Sequence, residues 1–210
     1  MYYSQDNEDR YLDENFFHQK RNGKYIELGA LDGNLYSNTK YFQDSLDWSG
    51  ILIEPHPLKF HALKDNRPNN KCFNNLVSNG NEPLNFKFFH DGHAAVSGVV
   101  NTLPQGHYES YYDNPKFMCL ARDTMSIIPR SLTSIIKESK IDHFDFLSLD
   151  VEGHEYEVLC SWDFSVPIDV ILIEMLGDER NEKCREILKN NGYEFHSKIS
   201  RNEVYKLVKN

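Results

Sequence analysis

The chain has 210 residues, 40% of them hydrophobic and 26% charged, an ordinary folded-domain composition that excludes a disordered chain. Thirty-two acids against 23 bases leave a net charge of −9, the wrong sign for tracking a phosphate backbone, so nucleic acid is not expected as a partner. The apolar run over 168–176 is broken by Asp169 and Glu174, and the first residues lack the features of a secretory signal; no membrane span and a cytoplasmic location are expected.

Residues 4–19 read as a helix with Ser4 as its N-cap, Leu12 and Phe16 one turn apart, and Gly23 as the stop. A short apolar strand over 24–29 ends in glycine, and a helix over 37–46 follows, capped by Ser37 or Asn38. Residues 50–55 form a buried strand stopped by proline, and Pro57 opens a helix that ends by Arg67-Pro68. A strand over 71–77 comes next, and the alternation of Leu84, Phe86 and Phe88 marks a half-buried one. Residues 90–123 have glycines, prolines and tyrosines without a period, and are expected to be an inserted loop that forms a substrate lid. The chain continues with a strand over 124–128, a helix over 131–139, and strands over 144–150 and 168–174 around a helix over 155–161. A helix over 179–191 closes at Gly192, and 193–199 with 203–208 make a hairpin across Ser-Arg-Asn. With no repeat or long linker, one domain is expected over 1–210.

Strands alternating with helices predict an α/β fold with a mostly parallel sheet and right-handed crossovers. Such sheets bind ligands beyond the carboxyl ends of their strands. Acids gather at those ends: Asp32, Glu54, Asp150 with Glu152, and Glu174.

The loop after the first strand is poorly suited to a pyrophosphate. Leu31 and Asn34 stand where a dinucleotide loop needs its second and third glycines, and Asp32 would repel a phosphate. The loop suits a cationic nucleoside, and S-adenosylmethionine, with its ammonium and sulfonium, would be attracted by Glu27 or Asp32. Glu54 lies 21 positions beyond Gly33, where an acid takes ribose hydroxyls in related sites. The plain alternative is that Gly29 and Gly33 serve only a tight turn and that Glu54 is a solvated strand end.

Asp150, Glu152 and His154, in Leu149-Asp150-Val151-Glu152-Gly153-His154-Glu155, are candidate bases for an acceptor hydroxyl, with Glu174 sharing the site from the adjacent strand. The same oxygens could hold Mg²⁺ instead, although no metal ligand is assigned. Alternatively, Asp150 is a helix cap and Glu152 a first-turn acid. Ser97-Gly98 could line a pocket. Tyr108, Tyr111, Tyr112 and Phe117 could stack on an acceptor ring or cover a satellite core. His56, His61, His90, His93 and His107 show no metal-ligand spacing, and four scattered cysteines are expected to be reduced.

These residues include motifs that resemble one family. Tyr3-Ser-Gln5 with Glu8-Asp9, Tyr25-Ile-Glu-Leu-Gly-Ala-Leu-Asp-Gly33, Ser37-Asn-Thr39, Trp48-Ser-Gly-Ile-Leu-Ile-Glu-Pro55 and Asp145-Phe-Leu-Ser-Leu-Asp-Val-Glu-Gly-His-Glu155 are similar to the FkbM-type S-adenosylmethionine-dependent methyltransferases. The resemblance implies a class I methyltransferase fold, Rossmann-like, with seven strands of which the last are antiparallel. It implies that Glu27, Gly29, Asp32 and Gly33 hold the methionine part, Glu54 the ribose, and Asn75 and Ser78 the adenine, with Ala30, Asn38 and Pro55 also at the cofactor. Members mostly methylate hydroxyl oxygens of sugars, glycolipids or secondary metabolites, so O-methylation of a small-molecule or glycan acceptor is expected. This chain departs in His154, where a small residue is commoner, and in 101–122, which match no family pattern. Some relatives sharing the Ser-Gln and Ser-Asn-Thr motifs are membrane-anchored trafficking factors without demonstrated catalysis. A non-catalytic S-adenosylmethionine-binding or interaction module is therefore the alternative. A nicotinamide oxidoreductase is disfavoured by Leu31 and Asp32, and nothing in the residues selects an oligomeric state.

Overall fold

Runs such as Phe144–Leu149, in which every residue is buried, need neighbours on both faces, and that requirement sets the centre of the molecule. The computed structural model describes residues 1–90, 92–176 and 179–208. Its main sheet contains β1 (Lys24–Leu28), β2 (Ser49–Ile53), β3 (Lys71–Phe73), β7 (Phe144–Leu149), β8 (Ile168–Glu174), β9 (Tyr193–Ile199) and β10 (Asn202–Leu207). The order is β3-β2-β1-β7-β8-β10-β9; β3 to β8 pair in parallel, and β10 runs antiparallel to both of its neighbours. A second, antiparallel sheet has the order β5-β4-β6, from β4 (Leu84–Phe89), β5 (Gly98–Val99) and β6 (Arg122–Ile127).

The two-residue period of the strands divides the core. One face puts Ile26, Leu28, Leu147, Leu149, Ile171 and Ile173 against α5 (Leu132–Ser139), α6 (Glu155–Cys160) and α7 (Glu179–Asn190). In α5, Ser131 caps the N-terminus by accepting from the Ser134 amide, and Leu132, Ile135 and Ile136 form the buried stripe. The other face puts Tyr25, Leu52, Phe146 and Leu172 against α1 (Glu8–Leu12), α2 (Lys40–Leu46) and Trp48. Among the described residues, no helix is long and apolar enough to cross a membrane.

Several elements differ from expectation. α1 begins at Glu8, with Asn7 rather than Ser4 at the N-cap position, and continues as a π-helical turn over Asp13–Phe17; Ser4 lies outside the helix but its Oγ accepts the Asp9 amide at 3.2 Å and donates to the Asp9 carboxylate at 2.6 Å. α2 begins only at Lys40, since Ser37–Thr39 is drawn onto Glu27. β3 stops at Phe73, where Asn74 turns to bond the Glu54 and Pro55 carbonyls, and Val77 makes a separate bridge to Arg130. The stretch 90–123 is largely ordered into short elements: a 3₁₀ turn over Gly92–Val96, β5, α4 (Gln105–Tyr111) and a second 3₁₀ turn over Pro115–Phe117. α3 (Pro57–Asn66) matches its prediction, with proline in its first turn.

Candidate active site

The carboxyl ends of β1, β2 and β7 open into a cleft on the side where β1 parts β2 from β7. Glu27, Gly29, Asn38, Glu54, Pro55 and Asn75 all line it. So do Leu76, Val77, Phe86 and Val99, an apolar wall suited to a purine, and Ser97.

Gly29 (φ +79°) turns the chain out of β1, and a Cβ there would stand 1.9 Å from the Asp150 carbonyl oxygen. Only glycine allows the loops after β1 and β7 to meet so closely. Glu54 is buried at the end of β2, and its two oxygens accept the amides of Leu31 (2.7 Å) and His56 (2.8 Å). Burial raises its pKa to about 7, against those two amides, which lower it. A buried carboxylate at this strand end fits ribose hydroxyls, which donate.

Glu27 lies at the cleft with its charge already engaged. It accepts from the Asn38 amide (2.7 Å), Thr39 Oγ1 (2.7 Å) and Ser37 Oγ (2.9 Å), with Arg67 Nη1 at 3.9 Å. Burial nevertheless pushes its pKa up. Asn38 donates from Nδ2 to Ser148 on β7 at 2.9 Å. This is why Ser37-Asn-Thr39 leaves the helix: the segment is a cradle for the Glu27 carboxylate.

Four expected cofactor residues do not line the cleft. Asp32 turns its Oδ1 back to the amides of Asn34 (3.0 Å) and Leu35 (2.9 Å), an Asx turn that ties that oxygen to its own loop. Gly33 packs against Leu63 and Arg67, and Ala30 belongs to the core on the α1–α2 face. Ser78 is buried, with its hydroxyl 2.9 Å from His154 Nε2. The acids that line the cleft are Glu27, Glu54, Asp150 and Glu152, and Asp32 is not among them.

Asp150 and Glu152 follow β7, and Glu174 ends β8. One carboxylate oxygen from each lies within 4.8 Å of the other two. Burial raises all three pKa values, and mutual repulsion raises those of Glu152 and Glu174 further. Arg201, in the β9–β10 turn, brings Nε to 3.2 Å from Glu174 Oε1. Behind them Glu155 accepts the amides of Val151 and Gly153, and burial lifts it to about 8.

His154 is not brought into the acidic group. Its ring is buried between Ser78 and Thr102, with 2.9 Å contacts at both nitrogens, and burial lowers its pKa to about 4. His107, which showed no pattern in the sequence, is brought there instead. Its Nε2 faces the Val96 carbonyl at 3.0 Å and must donate, so Nδ1, 3.2 Å from Glu152 Oε2, shares a proton with that carboxyl. No local signal could have found this pair, because α4 and the Glu152 turn meet only in three dimensions. Tyr112 is buried with Phe89 and Leu103, and Tyr108 packs on them; these rings cover a satellite core.

Sheet order, the single reversed strand and a cleft at the end of β1 together define the fold of class I S-adenosylmethionine-dependent methyltransferases. The Methyltransferase FkbM domain model matches residues 27–195, well over half the chain. The chain belongs to the FkbM methyltransferase family, whose cofactor is S-adenosylmethionine. Among solved structures, the METTL16 MTase domain superposes with a TM-score of 0.52 at 11% identity, covering 96% of this chain and 66% of that one. Methyltransferase FkbM from Methylobacillus flagellatus gives 0.49 at 13%, covering 88% and 43%. Aeropyrum pernix fibrillarin, solved with natively bound S-adenosyl-L-methionine, gives 0.44 at 11%, covering 90% and 66%. This chain thus spans less than two thirds of each of these three. No curated protein matches it.

Proposed function

We propose that this methyltransferase methylates a hydroxyl oxygen of a sugar, glycolipid or secondary metabolite. The observation that carries the reading is that Asp150, Glu152 and Glu174 converge beside the same cleft that Glu54 borders. Hydroxyl groups are hydrogen-bond donors, and a polyhydroxylated acceptor finds acceptors in those carboxylates.

In this reading Glu27, Gly29 and Asn38 shape the methionine end, and Glu54 accepts the ribose hydroxyls. Pro55 and Asn75 flank the adenine with the apolar wall. Ala30, Asp32, Gly33 and Ser78 act at one remove by fixing the loop, and His154 by pinning Ser78 to Thr102. Bound S-adenosylmethionine supplies a methyl on cationic sulfur, so the acceptor oxygen gains carbon, sulfur keeps the bonding pair and the hydroxyl loses its proton. The carboxylate group receives that proton, with Glu152 oriented by His107. Most of the rate then comes from holding the oxygen in line with the methyl.

Calorimetry with S-adenosylmethionine, followed by a labelled-methyl transfer screen on glycans, glycolipids and hydroxylated metabolites, tests the reading. The expected result is cofactor binding and at least one methylated hydroxyl, with transfer reduced 100-fold or more by Asp150→Asn or Glu152→Gln. Cofactor binding with no transfer to any acceptor would favour the non-catalytic module. Transfer to nitrogen or carbon alone would replace the hydroxyl acceptor.

A further inference from the structure

Glu174 ends β8 with its side chain 3% exposed. Arg201 reaches its Oε1, the Asp150 carboxyl lies within hydrogen-bonding reach of Glu174, and Oε2 is buried with no donor from outside the acidic group. A buried carboxylate oxygen so placed is costly, and the carboxylates of Asp150 and Glu152 beside it add to the cost. Ionisation of all three side chains at once would place more negative charge here than the one guanidinium at Glu174 can balance.

The geometry matches what could balance it. Two oxygens on opposite sides of a hard ion bound at about 2.1–2.4 Å stand about 4.2–4.8 Å apart. The three carboxylate oxygens lie within 4.8 Å of one another, the size of such a coordination shell. All-oxygen donors select a hard cation over zinc or copper. Asp150 and Glu152 also line the open cleft, so water and an acceptor could complete the shell.

We propose that Asp150, Glu152 and Glu174 bind one divalent cation, Mg²⁺ or Mn²⁺, at the acceptor end of the cleft. The site itself rests on these carboxylates; only the ion's use rests on the hydroxyl-acceptor reading. An ion there would hold an acceptor hydroxyl and acidify it, the Lewis-acid role of a metal. A second group, His143, Asp145 and Asp169, has similar spacing but closer partners of its own: Lys20 bonds Asp145, and His143 Nε2 is 3.1 Å from Asp169. It serves as the internal control.

Mn²⁺ titration of the chelator-treated full chain, followed by the loss of the free-ion electron paramagnetic resonance signal, tests the site without cofactor or acceptor. One ion per chain is expected, with affinity at least 10-fold weaker in Glu174→Gln and unchanged in Asp169→Asn. Melting curves guard against misfolding: Glu174→Gln should melt no lower than wild type in metal-free buffer and lose the Mn²⁺-induced rise. Asp150→Asn is read in the same way. Equal binding by wild type and Glu174→Gln, loss in Asp169→Asn, or no uptake by wild type at millimolar Mn²⁺ each overturns the site. A chain that binds S-adenosylmethionine but no Mn²⁺ loses only this inference; one that binds Mn²⁺ without the cofactor loses the cofactor-site reading instead.

Discussion

Glu54, if it takes the ribose as proposed above, ties stability to binding through a single carboxylate. Its pKa rises on folding from the ordinary 4.5 to about 7, because burial outweighs the two amides it accepts. Between those values the folded chain holds a proton that the unfolded chain has released, so Glu54 makes stability fall as pH climbs from about 4.5 to 7, with no further loss above. Glu54→Gln should therefore narrow the difference in Tm between pH 5 and pH 8. Ribose hydroxyls donate to the ionised form, so wild-type affinity for S-adenosylmethionine should rise from pH 6 to pH 8, with proton release. Glu54→Gln should abolish that rise and weaken binding by roughly 1.5–3 kcal/mol, the worth of hydrogen bonds to a charged group. Calorimetry in buffers of different ionisation enthalpy reads both effects. Gly29→Ala places a methyl into the Asp150 carbonyl at positive φ. It should cost about 1–3 kcal/mol in strain and abolish cofactor binding, read by melting and by calorimetry.

Between elements, buried polar groups do the joining. Arg67, after α3, is fully buried and donates to Tyr25 Oη (2.7 Å), the Gly33 carbonyl (2.8 Å), Thr39 Oγ1 (3.0 Å) and Ser37 Oγ (3.2 Å), beside Glu27. Arg67→Met leaves the Glu27 carboxylate buried without its cation, which should cost roughly 3–5 kcal/mol in denaturant unfolding. Adding Glu27→Gln should recover part of that loss; no recovery would mean that Arg67 acts through packing alone. Gly153 performs the corresponding task at the other side of the cleft. A Cβ there would approach Pro104 Cδ (2.6 Å) and the Thr102 carbonyl (2.7 Å), so Gly153→Ala should lift the segment after β5 off the Glu152 turn. Limited proteolysis should then cut faster within 92–123 while the main sheet stays resistant.

For the whole molecule, the class assignment makes a simple demand. S-adenosylmethionine at 100 times its dissociation constant should stabilise the chain by about 2.7 kcal/mol. At roughly 2–4 °C per kcal/mol for a domain of this size, Tm should rise by about 5–10 °C, and NAD should leave it unchanged. A rise with NAD instead would reopen the oxidoreductase reading.

What the residues announced on their own was whatever depends on neighbours along the chain. Periodicity showed the buried strands, Pro57 the start of α3, and the glycine loop with its acids a cleft unsuited to pyrophosphate. That Gly29 and Glu54 line the cleft was legible because their position is set within a few residues of a strand end. That Asp32 turns to the amides of Asn34 and Leu35, and His154 to the hydroxyls of Ser78 and Thr102, was not legible, because a carboxylate or an imidazole looks the same in sequence whatever it faces. The meeting of Glu174 with Asp150 was expected from their adjacent strand ends, but the His107–Glu152 pair and the Glu27 cradle closed by Arg67 arise between segments far apart in sequence. Only the packed structure decides them, because hydrogen bonds and charges act over a few ångströms of space, and folding alone determines which residues come that close.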